Sequence, residues 1–97
     1  MTSTGLQQFL DISLDATRTV MTDIYIHNEN PSIGTISVQE LIEPSVETVV
    51  KIAEDTLRGE HQNSIVSFKF PGAKAMVTCR RDPSDGIVCD RGLAIQQ

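Results

Sequence analysis

The stretch SVETVVKIAEDTLRG, residues 45–59, carries its apolar side chains at Val46, Val49, Val50, Ala53 and Leu57. That spacing of i, i+3, i+4, i+7 and i+11 draws one stripe along an α-helix, with Glu47, Lys51, Glu54, Asp55 and Arg58 mostly outside it. Glu47 precedes Lys51 by four residues and Glu54 precedes Arg58 by four, the order that favours ion pairs on a helix surface. Gly59 supplies a stop, because glycine enters the left-handed conformation without a Cβ clash. A helix with one apolar stripe needs a surface to bury it, and the segments on either side read as strands that can form one.

Upstream, Val20, Thr22, Ile24 and Ile26 alternate with Met21, Asp23, Tyr25 and His27, which predicts a strand over residues 19–27. A turn is expected at residues 28–32, where Asn28, Asn30 and Pro31 favour tight backbone angles. Residues 33–42 support two readings. Alternation of Ile33, Thr35 and Ser37 suggests a short strand over 33–37. Ser37 and Glu40 match a capping box, and Val38, Leu41 and Ile42 suit a helical turn, so a helix is expected to follow. Pro44 would kink that helix or restart it. Nearer the N-terminus, Thr4 and Gln7 form another capping box ahead of Leu6, Phe9, Leu10 and Leu14, and predict a first helix over residues 5–17.

Downstream, Val66, Phe68 and Phe70 alternate with Ile65, Ser67 and Lys69, a strand over residues 64–70. Pro71 and Gly72 take the central positions of a type II turn. A further strand runs over 73–80, then a turn over 81–86, then a last strand over 87–95 with a bulge expected at Gly92. If that hairpin turns about the middle of 81–86, Cys79 and Cys89 face each other. Both are expected as thiols in contact, since opposed Cβ atoms lie ~4.5–5.5 Å apart, wider than the ~3.8 Å typical of a disulfide.

The sequence therefore predicts an α+β fold, two helices packed on a mostly antiparallel sheet of about five strands in the order α-β-β-α-β-β-β. Residues 1–97 make a single small domain.

Composition narrows the function classes. The chain has 39% hydrophobic residues, 22% charged residues and a net charge of −5. Residues 1–48 hold seven acids against Arg18 alone, −6 in all, while residues 49–97 hold seven bases and six acids, +1. Such polarity suits contacts between proteins and argues against nucleic-acid binding. Phe9, Tyr25, Phe68 and Phe70 are the only aromatic residues, too few for a base-stacking platform. No uncharged apolar run approaches the ~20 residues of a membrane helix, so no membrane insertion is expected. Residues 1–20 lack a basic leader and are interrupted by Asp11, Asp15 and Arg18. A cytoplasmic setting with reduced cysteines is the expectation.

Candidate chemistry is sparse. His27, His61, Cys79 and Cys89 are the soft-metal candidates, and none has ligand spacing, so no metal site is expected. Arg80 and Arg81 beside Cys79 could lower a thiol pKa only if they also met it in space, and alternation along a strand points Arg80 away. Asp82, Asp85 and Asp90 read as turn chemistry in preference to a calcium loop. Lys69, Lys74, Arg80, Arg81 and Arg91 form the one basic concentration, read as solvation of an open sheet face. Glycine-rich phosphate loops and nucleophile elbows are absent. No catalytic residue and no cofactor is assigned, and an enzyme is not expected.

The predicted helix over 6–17, the helix over 46–58 and the three strands through 95 carry a likeness of order and length: the chain resembles the roadblock/LC7 family of small dimerising domains. That resemblance implies a non-enzymatic scaffold that dimerises and serves a motor, GTPase or other assembly. The expected function is a protein–protein interaction module, a homodimeric scaffold or adaptor with itself and another protein as partners. The alternative is a small acidic inhibitor or immunity-type protein that masks a basic site on an enzyme.

Overall fold

Five strands follow one another antiparallel in a single sheet of spatial order β2-β1-β3-β4-β5. They are β1 (Val20–His27), β2 (Ile36–Ile42), β3 (Ile65–Lys69), β4 (Met76–Asp82) and β5 (Gly86–Gly92), with one helix, α1 (Val46–Thr56), between β2 and β3. The computed structural model describes residues 19–29, 34–73 and 75–92.

Two expectations about helices need correcting. Among the described residues there is one α-helix, and the order is β-β-α-β-β-β, mostly β, in place of two helices on a sheet. The helix expected over 5–17 lies outside the described residues. The helix expected after residue 37 is not formed: residues 36–42 pair one-to-one with β1, from Ile36 opposite Ile26 to Ile42 opposite Val20. A capping box contributes only about 1 kcal/mol, and a ladder of seven pairs outweighs it. Pro44 falls after the strand, is buried, and precedes the helix instead of kinking it.

The α1 stripe behaves as its spacing predicts. Val49, Ala53 and Leu57 are fully buried, and the helix packs on β3, β4 and β5. Beneath it lie Val66 and Phe68 of β3, Val77 and Cys79 of β4, and Ile87 and Cys89 of β5, one side chain in two along each strand, as the pleat requires. Burial of each Val, Leu or Phe side chain contributes roughly 1.5–3 kcal/mol. Ser45 caps the start, its Oγ accepting from the Thr48 backbone N–H at 3.2 Å. On the outer face Asp55 gathers both cations, Lys51 at 4.0 Å and Arg58 at 3.8 Å, where the sequence suggested Glu47 and Glu54. Gly59, with φ of 56°, turns the chain into a short 3-10 turn, Gly59–His61.

The C-terminal end of α1 is tied to the sheet by Arg81. Its Nε and Nη2 both donate to the Leu57 carbonyl oxygen, at 3.1 and 2.8 Å, meeting one of the helix's terminal acceptors with a positive charge. Arg81→Ala should lower stability by about 1–2 kcal/mol in urea unfolding, whereas Arg80→Ala, on the opposite face, should stay within about 0.5 kcal/mol.

The final hairpin follows the expected register: every pair from Met76 opposite Gly92 to Asp82 opposite Gly86 fits the midpoint that sets Cys79 against Cys89. The pairing is regular from Gly86 to Gly92, and the residues past Gly92 that a bulge there would involve lie outside the described residues. Gly72, with φ of 82°, and the Ala73 N–H bond to the Phe70 carbonyl at 3.2 Å make the turn foreseen at Pro71-Gly72.

Candidate interaction surface

α1 packs chiefly over β3, β4 and β5, while Ile24 of β1 and Ile42 of β2 still join its buried cluster. On β2 every residue from Ile36 to Leu41 is exposed. The four large apolar side chains exposed among the described residues are all here: Met21 at 50%, Ile36 at 45%, Val38 at 43% and Leu41 at 62%. Ile36 and Val38 share a face with Ile26 and Ile24, the helix side of the sheet. Leu41 sits opposite Met21 on the other face. The apolar surface thus wraps the edge of the sheet. Glu40 lies on the helix side of β2 and Asp23 on the other face of β1, with Lys69 of β3 opposite Asp23.

The residues singled out for chemistry are dispersed. Cys79 and Cys89 form a disulfide, not a pair of thiols, under α1. His27 and His61 line one cavity of ≈ 170 Å³ with Glu60, Ser64, Ile26 and Ile36. His61 Nε2 lies 3.8 Å from Glu60 Oε1. Among the described residues no group of three or more His, Cys, Asp or Glu side chains is placed to hold a metal. Asp82 Oδ2 accepts from the backbone N–H groups of Ser84 and Asp85, at 3.1 and 2.9 Å, the turn role read from the sequence. The basic residues do not make one patch: Lys69 and Arg80 lie on the face opposite the helix, Arg81 and Arg91 on the helix side, and Lys74 is outside the described residues.

One polar constellation has no signal in the sequence. His27 Nδ1 lies 2.7 Å from the Asn28 carbonyl oxygen and Nε2 2.9 Å from Ser67 Oγ. A carbonyl oxygen can only accept, so Nδ1 carries the proton in the neutral ring and Nε2 accepts from the Ser67 hydroxyl. This is the arrangement of a base beside a nucleophile. Ser67, however, is 2% exposed in the central strand and His27 is 9% exposed. A substrate carbonyl has no approach to that hydroxyl, and the pair serves to satisfy two buried polar groups.

No family model, curated protein or solved structure matches the chain. No helix among the described residues is long and apolar enough to cross a membrane. The β1–β2 edge, where the exposed large apolar side chains of the described residues gather, is the candidate site.

Proposed function

We propose that the chain is a non-enzymatic protein–protein interaction module that associates with a second copy through the β1–β2 end of its sheet. The observation that carries this reading is the gathering of Met21, Ile36, Val38 and Leu41 at one edge, with none of their kind exposed elsewhere among the described residues. Scattered apolar residues on a surface are ordinary, but four exposed on one pair of strands at the end of the sheet mark a contact.

Size-exclusion chromatography with light scattering across micromolar concentrations tests it. A dimer is expected, and Ile36→Lys with Leu41→Lys should raise its dissociation constant about tenfold or more while leaving the circular dichroism unchanged. Both positions are exposed in the single chain, so these changes do not act through the core. A clean monomer at every concentration overturns the homodimer.

The seven acids against one base in residues 1–48 favour a second reading, an inhibitor-type module that docks on a basic partner. Pull-down separates the two: assembly subunits support a scaffold, one basic enzyme supports an inhibitor. The compartment proposed from the sequence is the cytoplasm, yet a disulfide is at home in an oxidising one, and the cysteine labelling argued in the Discussion chooses between them.

A further inference from the structure

Met76 is 2% exposed in the single chain, yet it stands apart from the core cluster that α1 caps. It precedes Val77, which belongs to that cluster, so alternation along β4 turns Met76 to the face away from α1. Its partner across the β4–β5 ladder is Gly92, which offers no side chain to shelter it. Ser67 at 2% and His27 at 9% lie on the same face, with Tyr25, Ile65 and Val88 half-buried around them. A side chain standing on an uncovered face of an antiparallel sheet meets water. The described elements are five strands, α1 and one short 3-10 turn, and α1 packs on the other side. Something else shelters Met76.

We propose that residues 1–18 cover this face, with Leu6, Phe9, Leu10 and Leu14 seated against Met76 and its neighbours. These residues lie outside the described ones and run directly into β1 at Thr19. Four large apolar side chains within nine residues bring the surface that a sheet face needs in order to be dried. The inference does not rest on the dimer proposed above. Met76 is buried within one chain, whereas Met21, Ile36, Val38 and Leu41 stay exposed in it, so the cover and the open edge are separate places.

Reach singles out this segment. Val77 pairs with Phe68 and Phe68 with Ile24, so Met76 lies level with Asp23, two strands from β1 and near its start. Four residues along the strand and two strands across place it about 17 Å from Thr19. Residues 13–18, extended, span up to about 20 Å, and residues 1–12 remain to cross the face. Residues 30–33 are used in joining β1 to β2. Residues 93–97 leave β5 beside Met76, but His27 lies three strands and four residues further on. That is about 19 Å, past the roughly 17 Å that five extended residues reach.

Peroxide oxidation read by peptide mapping tests this on the unaltered chain, because Met21, 50% exposed, is an internal reference. Met76 should oxidise at least about tenfold more slowly than Met21. Phe9→Asp with Leu10→Asp should bring Met76 to within about threefold of Met21 while the circular dichroism of the sheet and α1 persists. Gln8→Asp should leave the ratio unchanged. Should the charged pair fail to fold, Leu10→Ala carries the same comparison, with Met76 oxidation rising about threefold. Tyr25, the only tyrosine in a chain without tryptophan, gives a second reading on the same face. Acrylamide should quench its emission about twofold more strongly in the residue 9 and 10 variants. A Met76 that oxidises as fast as Met21 in the unaltered chain overturns the proposal, because the face is then open. Protection that persists in the residue 9 and 10 variants overturns it too, and its loss in Leu93→Asp with Ile95→Asp would give the face to residues 93–97. Protection that fades on dilution overturns it in favour of a second copy, whereas protection in a protein that is monomeric at every concentration leaves it standing and removes only the dimer.

Discussion

Val49→Asp is expected to unfold the domain. Val49 is fully buried in the stripe of α1, between Val46 and Ala53, against the apolar face of the sheet. The described residues of that cluster are apolar and offer a carboxylate no partner. An unpaired carboxylate in such a site costs several kcal/mol even after its proton equilibrium adjusts, which is comparable with the ~5–10 kcal/mol that holds a domain of this size. Far-UV circular dichroism should lose its strand and helix signal, and urea unfolding should lose its cooperative step. Glu54→Lys on the exposed side of the same helix should cost about 0.5 kcal/mol or less. A Val49→Asp protein that stays folded and becomes monomeric would assign the α1 stripe to an interface instead of the core.

The same stripe explains what was legible in the sequence. α1 could be read because its apolar residues all serve one surface, and a side chain pattern with one purpose has one period. The last hairpin was legible for a related reason: both strands bury one face under α1, and the turn at residues 83–85 fixes their midpoint. β2 was misread because its apolar residues serve two surfaces. Leu41 and Ile42 are neighbours in sequence but point to opposite faces, Leu41 to solvent beside Met21 and Ile42 into the core. That breaks the alternation of a half-buried strand and imitates a helical turn, and Ser37 with Glu40 completed the imitation. The misreading of β2 as helix and the failure to see the exposed apolar edge have one cause: an edge strand that presents apolar groups on both sides does not look like a strand. The His27–Ser67 pair was invisible for another reason, since the two residues lie 40 apart in sequence and meet only through the β1–β3 pairing.

Removing the Cys79–Cys89 disulfide is expected to lower stability by about 2–3 kcal/mol. The bridge joins residues ten apart across β4 and β5, with Cα atoms 4.0 Å apart, and both cysteines are buried beneath α1. The sequence placed these residues opposite each other but took them for thiols, weighing the average cross-strand Cβ spacing; at this pair the two backbones approach closely enough to be bridged. In the chain-entropy account, closing a loop of about ten residues removes roughly 2.7 kcal/mol of freedom from the unfolded chain. Cys79→Ala with Cys89→Ala should therefore lower the melting temperature by about 10–20 °C, at ~4–8 °C per kcal/mol for a domain of this length. The sulfurs also fill space between Val66, Ile87 and the helix, so alanine leaves a void and deepens the loss. Serine at the same positions would add buried hydroxyls and should be worse still. Alkylation of the native protein without reductant should give no labelled cysteine, and after denaturation with reductant two. Two labels on denatured, unreduced protein would return the pair to thiols and the chain to a reducing compartment, and the alanine variants should then lose only the packing contribution. The order of events under reductant follows from burial: with both sulfurs covered by α1, reduction must wait for the helix to lift from the sheet. Val49→Ala, which loosens that packing without burying a charge, should speed reduction far more than Leu41→Ala at the exposed edge.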